Sequence, residues 1–111
     1  MPLDPQVKAL LDQMTGLPPF EQLSVADARK QVESRIAVNL PTLPVASVVN
    51  RSIPGPGGDL PVRIYTPNGS GPFSLMVFFH GSGFVLCNLD THDGVCRNLC
   101  SAARCIVFSV D

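Results

Sequence analysis

A chain of 111 residues, 45% hydrophobic and only 15% charged, has room for one small domain and is unusually apolar for it. Its formal net charge of −1 gives no electrostatic basis for binding nucleic acid or an anionic membrane surface. No stretch approaches the roughly 20 apolar residues of a membrane span. Met1-Pro2-Leu3-Asp4-Pro5 also lacks the basic region and apolar core of a secretion signal, so the expectation is a cytoplasmic protein.

The chain opens with a helix signal, Asp4 at the N-cap and Pro5 at the first helical position. Val7, Leu10, Leu11 and Met14 repeat at helical spacing, and Gly16 is placed to stop the run. Leu17-Pro18-Pro19-Phe20 connects to a second helix, introduced by Ser24 and Asp27 in the spacing of a capping box. Val25, Ala28, Val32 and Ile36 form its apolar side, and Arg29, Lys30, Glu33 and Arg35 its wetter side. Pro41 and Pro44 end it. Neither helix can bury its apolar face alone, so residues 1–44 are expected to cover something else, as a lid over a pocket or a plain flap.

From Val45 the period changes. Val45 to Ile53 and Leu60 to Thr66 read as the two strands of a hairpin around the turn signal Pro54-Gly55-Pro56-Gly57-Gly58-Asp59. After a second loop, Leu75-Met76-Val77-Phe78-Phe79 is a continuous apolar run that predicts a strand buried on both faces. It runs directly into His80-Gly81-Ser82-Gly83. The carboxyl end of a strand is where open α/β sheets place their ligands, and glycine there lets backbone N–H groups approach a ligand closely.

Asp90 or Thr91 can cap the next helix, with Asp93 in its first turn and Val95, Cys96, Leu99, Cys100 and Ala103 on its buried face. His92 reads as a surface or capping residue. Cys105 to Val110 is another apolar strand, so the segment from residue 74 onward predicts a βαβ unit. The four cysteines, 87, 96, 100 and 105, show no C-x-x-C spacing, and no secretion signal argues for disulfides. They are expected as free thiols that behave as small hydrophobes, without a metal.

Two chemistries fit a glycine loop after a strand. A dinucleotide loop counted from Gly81 would require glycine at position 86, which is Leu86, so no nucleotide or other cofactor is expected. An oxyanion hole needs backbone N–H donors, and Gly81, Ser82 and Gly83 could supply them, with His80 steadying the loop. Ser82 is not a nucleophile elbow, because G-x-S-x-G would need glycines where His80 and Phe84 stand.

His80-Gly81-Ser82-Gly83-Phe84-Val85 resembles the His-Gly-Gly-Gly-Phe-Val signature of the bacterial hormone-sensitive-lipase-type esterases of the α/β-hydrolase fold. Thr91-His92-Asp93 with Cys96-Arg97 resembles that family's next helix, and Val107-Phe108-Ser109-Val110-Asp111 its next strand. The opening residues resemble its cap.

The resemblance implies an α/β fold, the N-terminal part of an α/β-hydrolase sheet, with two cap helices in residues 1–44 ahead of a hairpin and a βαβ unit in residues 45–111. It implies an oxyanion hole at Gly81, Ser82 and Gly83, a loop-orienting His80, and a small acyl ester as the substrate of the complete enzyme. It departs from the family at Ser82 and Cys87, where glycine is usual. The nucleophile, acid and histidine of the triad have no counterpart here, so the chain is expected to be the first third of a carboxylesterase and inactive alone. The competing expectation is a non-catalytic product that binds or pairs with a missing second half. In the implied strand order the last strand lies between the hairpin and Leu75–Phe79, which leaves the latter as an exposed edge open to self-association.

Overall fold

The computed structural model describes residues 2–36 and 41–111. Helix α1, Pro5–Met14, starts as the sequence requires: the Asp4 carboxylate accepts from the Gln6 N–H at 2.8 Å, and Pro5 needs no acceptor. Thr15 already turns extended at ψ 130°, and Gly16 at φ +86° completes the turn out of the helix, in which the Leu17 N–H donates to the Met14 carbonyl at 3.3 Å. After a single 3-10 turn, Phe20–Gln22, helix α2 runs from Val25 to Ile36. Ser24 accepts from the Asp27 N–H at 3.1 Å, and its hydroxyl donates to the Asp27 carboxylate at 2.6 Å. Asp27 thus takes the Ser24 hydroxyl and not the backbone N–H that closes a full capping box, as befits a side chain one methylene shorter than Glu. The proline stop expected after α2 falls partly on residues 37–40, outside the described residues.

The two helices differ in what they cover. Ala28 and Val32 of α2 are buried. Every residue of α1 is exposed, including the whole Val7, Leu10, Leu11 and Met14 stripe. Helix α2 is thus seated, and the apolar side of α1 faces solvent.

Strands β1, Ser47–Gly55, and β2, Gly58–Thr66, form the hairpin, and its turn is tighter than the sequence suggests. Pro54 and Gly55 still pair with Asp59 and Gly58, which leaves Pro56-Gly57 as the turn, with Gly58 at φ +126°. Strand β3 is Leu75–Phe79, helix α3 Asp93–Ala103 and strand β4 Ile106–Val110. The sheet order is β1-β2-β4-β3, with β4 antiparallel to β2 and parallel to β3. Strand β4 lies between the hairpin and β3, and β3 is the edge, as the family resemblance implies.

One face of this sheet is filled. Tyr65 and Val107 pack with Cys96, Cys100 and Cys105, flanked by Met76, Phe78 and Leu99. Small thiols on α3 let the helix lie close to the strands, and burial pushes the Cys96 and Cys100 thiols up in pKa, which keeps them inert. On the opposite face Val62 is buried, but the row on β3 is open. Leu75, Val77 and Phe79 are 62%, 50% and 72% exposed, in alternation with the half-buried Met76 and Phe78. The burial of β3 on both faces expected from its composition is thereby corrected: a run of apolar residues fits a sheet face whether or not a layer lies on it.

Asp93, the first residue of α3, fastens that helix to the hairpin. It accepts from Tyr65 Oη at 2.9 Å and from Arg63 Nη1 at 3.3 Å on one oxygen, and from Arg97 Nε at 2.6 Å on the other. Burial alone would raise the Asp93 pKa, but hydrogen bonds from Arg97 and Tyr65 outweigh it and hold the carboxyl below its ordinary value. A depressed folded-state pKa contributes stability above the ordinary carboxylate pKa and loses it as pH falls through the folded value. Asp93→Asn should therefore cost about 1–3 kcal/mol at neutral pH. In melting curves at pH 7 and pH 3, the gap between wild type and Asp93→Asn should narrow at the lower pH.

Candidate functional site: the loop after β3

The chain leaves β3 at Phe79 and enters a loop of unusual backbone. Ser82, Phe84 and Cys87 have φ of 102°, 61° and 67°, and Gly83 has φ 63°. For residues with a Cβ such values cost about 1–2 kcal/mol each, so the surrounding structure must hold this path in place. The Ser82 carbonyl accepts from the N–H groups of Val85 and Leu86 at 3.3 and 3.2 Å, closing the turn. Ser82 Oγ and Cys87 Sγ share a hydrogen bond at 2.9 Å across its base. A Cβ at Gly81 or Gly83 would meet nothing within 4 Å, so no steric crowding demands glycine at either place; at Gly83 the positive φ favours it.

His80 begins the loop. Its Nδ1 donates to the Gly81 carbonyl at 2.8 Å, and its Nε2 stands 3.9 Å from an Asp111 carboxylate oxygen, an ion pair only when the imidazole is protonated. The same Asp111 oxygen accepts from the Leu89 N–H at 3.1 Å, so the carboxyl end of β4 is tied to the end of the loop. His92 stacks on His80 with ring centroids 5.4 Å apart. It occupies the N-cap position of α3 but makes no side-chain cap, and neither Asp90 nor Thr91 stands there. The turn ahead of α3 is shaped instead by Asn88, whose side-chain oxygen accepts from the N–H groups of Asp90 and Thr91 at 3.0 Å each. Of the two expectations for His92, surface or cap, the position is that of the cap, but the ring is half-buried, and burial together with the nearby His80 lowers its pKa.

A cavity of about 500 Å³ opens beside the loop, lined by Phe79, His80 and Phe84 to Asn88, by Val110 and Asp111 from β4, and by Arg29 and Glu33 from α2. Gly81, Ser82 and Gly83 lie between two lining residues but are not themselves part of the wall, and all three are exposed. Among the described residues, the N–H groups of Gly81, Ser82, Gly83 and Phe84 have no hydrogen-bond acceptor. The loop thus presents free backbone donors at the carboxyl end of β3. No His, Cys, Asp and Glu group of three or more gathers for a metal among the described residues.

Two lining residues escaped the sequence. Arg29 and Glu33 sit on the face of α2 that charge alone marks as solvated, yet Arg29 Nε donates to the Val85 carbonyl at 2.7 Å. Asn88 Nδ2 donates to Glu33 Oε1 at 3.0 Å. Their spacing of four residues, one turn of helix, is the one local sign that they act on the same side.

Residues 76–111 match the α/β-hydrolase fold family. The esterase LipI of Mycobacterium tuberculosis is 39% identical over 115 aligned residues, which take in 98% of this chain and 34% of LipI. The carboxylic ester hydrolase LipN of the same organism is 50% identical over 64 residues, 58% of this chain and 17% of LipN. The solved structure of an ester hydrolase from the metagenome of Lake Arreo superposes with a TM-score of 0.86 at 34% identity, covering 99% of this chain and 38% of that one. The chain spans about a third of the length of LipI and of the Lake Arreo enzyme. Sequence and superposition agree: the chain has part of an α/β-hydrolase fold and is similar to the N-terminal part of carboxylic ester hydrolases.

Proposed function

We propose that this chain is the part of a carboxylic ester hydrolase that supplies the oxyanion donors. Gly81, Ser82 and Gly83 offer them, His80 steadies the loop, and small acyl esters are the substrates of the complete enzyme. The observation that carries this reading is the set of unbonded N–H groups in a loop held at positive φ beside a cavity. Charge develops on the carbonyl oxygen as an ester is attacked, and donors already fixed in place stabilise it without reorganising; one such donor typically matters by about 10²–10³ in rate. In this division of labour residues 1–44 serve as cap and residues 45–111 as core. No serine here stands in a G-x-S-x-G elbow, so the nucleophile with its acid and base is not assigned to these segments.

A chimera tests the proposal directly. With this chain in place of the corresponding third of LipI, the product should hydrolyse p-nitrophenyl butyrate, because the loop would face the nucleophile that LipI supplies. A chimera that folds cooperatively but shows no turnover, while LipI itself turns over, would remove the loop from catalysis.

A further inference from the structure

We infer that Arg29 and Glu33 are positioning residues that make the cap helix and the donor loop one mechanical unit, a conclusion that rests on the oxyanion role of the loop. The contacts are polar and one helical turn apart: Arg29 Nε holds the Val85 carbonyl at 2.7 Å, and Glu33 Oε1 holds the Asn88 amide at 3.0 Å. Between those anchors lies Cys87 at φ 67°, and just before them lie Ser82, Gly83 and Phe84 at positive φ. A strained segment of this kind persists only when its surroundings over-determine it. Within the loop, the two bonds to the Ser82 carbonyl are long at 3.2 and 3.3 Å, weak by the geometry of N–H···O bonds. The bond from Arg29 is shorter and carries a charged donor, the kind of hydrogen bond that is roughly twice as strong as a neutral one.

The consequence is directional. Val85 N–H points to the Ser82 carbonyl while the Val85 carbonyl points to α2, so a displacement of α2 pulls on the turn that orients the donors. No residue of α1 ahead of it is buried, so α1 does not clamp α2 to the core. The cavity is lined by Arg29, Glu33 and the loop residues Phe84 to Asn88 together, so a ligand filling it would touch both elements. Filling the cavity and setting the donors become a single event, with α2 as the element that both senses.

Cys87 supplies a readout that needs no ester chemistry. Its thiol is half-buried in the loop, whereas Cys96, Cys100 and Cys105 are buried in the core. Thiol labelling with iodoacetamide, followed site by site by mass spectrometry, reports how often the loop opens. Arg29→Met keeps the length of the stem and removes the donor, and should speed labelling of Cys87 at least about fivefold while the three core thiols keep their rates. Arg29→Lys restores an ammonium donor and should return most of that protection; a role in bulk packing alone would not separate Lys from Met. Glu33→Gln, which keeps an acceptor for Asn88, should label like wild type. An unchanged Cys87 rate in Arg29→Met would overturn the inference, and so would an equal acceleration at all four thiols, which would place Arg29 in the general stability of the fold. The labelling result stands apart from the chimera result, so a loose clamp and a wrong catalytic assignment are told apart.

Discussion

The purified chain should show neither a burst nor turnover above buffer with p-nitrophenyl acetate. Acyl transfer by a serine enzyme needs a nucleophile with a base in hydrogen-bond reach, and each of these alone is worth about as much as the whole triad, up to about 10⁶ in rate. The serine closest to the donors is Ser82, whose hydroxyl is engaged with the Cys87 thiol at 2.9 Å and not with an imidazole. His80 directs Nδ1 to the Gly81 carbonyl and Nε2 toward Asp111, and His92 stacks on it at 27° between ring planes. Donors without a nucleophile have no tetrahedral intermediate to stabilise. The measurement is release of p-nitrophenolate by the pure chain beside its Ser82→Ala variant. Turnover that Ser82→Ala abolishes would show that Ser82 is a nucleophile after all.

The second large effect concerns association. We propose that the chain self-associates through β3, and that Val77→Lys raises the dissociation constant of the assembly at least about tenfold, or ~1.4 kcal/mol. Among the described residues strand β3 pairs with β4 on one side and with no strand on the other, so the N–H and C=O groups of that side have no strand partner. Natural edge strands are guarded by charge, proline or a bulge, and Leu75-Met76-Val77-Phe78-Phe79 carries none of these. The exposed row of Leu75, Val77 and Phe79 adds apolar area next to the free edge, so a second copy that pairs there also shields that row. Val77 is at the centre of the strand and half exposed, so lysine there costs the monomer little. In an antiparallel pair of identical strands it brings two ammonium groups close together. Sedimentation velocity at low micromolar concentration should show a shift toward monomer in the variant. A wild-type chain that sediments as a monomer with cooperative melting would remove β3 as an association surface.

How far the sequence leads depends on the range of each interaction. Asp4-Pro5 and Gly16 specify both ends of α1 because capping is settled within a turn of backbone. The hairpin and the βαβ unit follow from period and turn residues, although Pro54 and Gly55 look like turn and behave as strand, since pairing with Asp59 and Gly58 satisfies them. The placement of β4 between β2 and β3 came from family resemblance, not from any pattern in residues 105–110. What stayed hidden has long reach: Arg29 meets Val85 across 56 residues and Glu33 meets Asn88 across 55. On a helix, charge marks a side as polar but does not say whether water or a carbonyl will answer it. His92 hid for a related reason, because a residue at a helix start reads as a cap until the ring it stacks on is known.

Tyr65 gives the fold an optical property. It is the single tyrosine of a chain with no tryptophan, and it is wholly buried against α3 with its hydroxyl on Asp93. Near-ultraviolet absorbance and emission therefore come almost entirely from one phenol at the joint between hairpin and helix. Burial and the Asp93 hydrogen bond push its pKa well above the ordinary phenol value. The folded chain thus stays free of phenolate at pH values where an unfolded one shows the red-shifted ultraviolet band of phenolate, and the stability this neutral phenol contributes fades only as pH climbs past about 10. The ultraviolet band of a single ring reports whether α3 is still docked on the sheet.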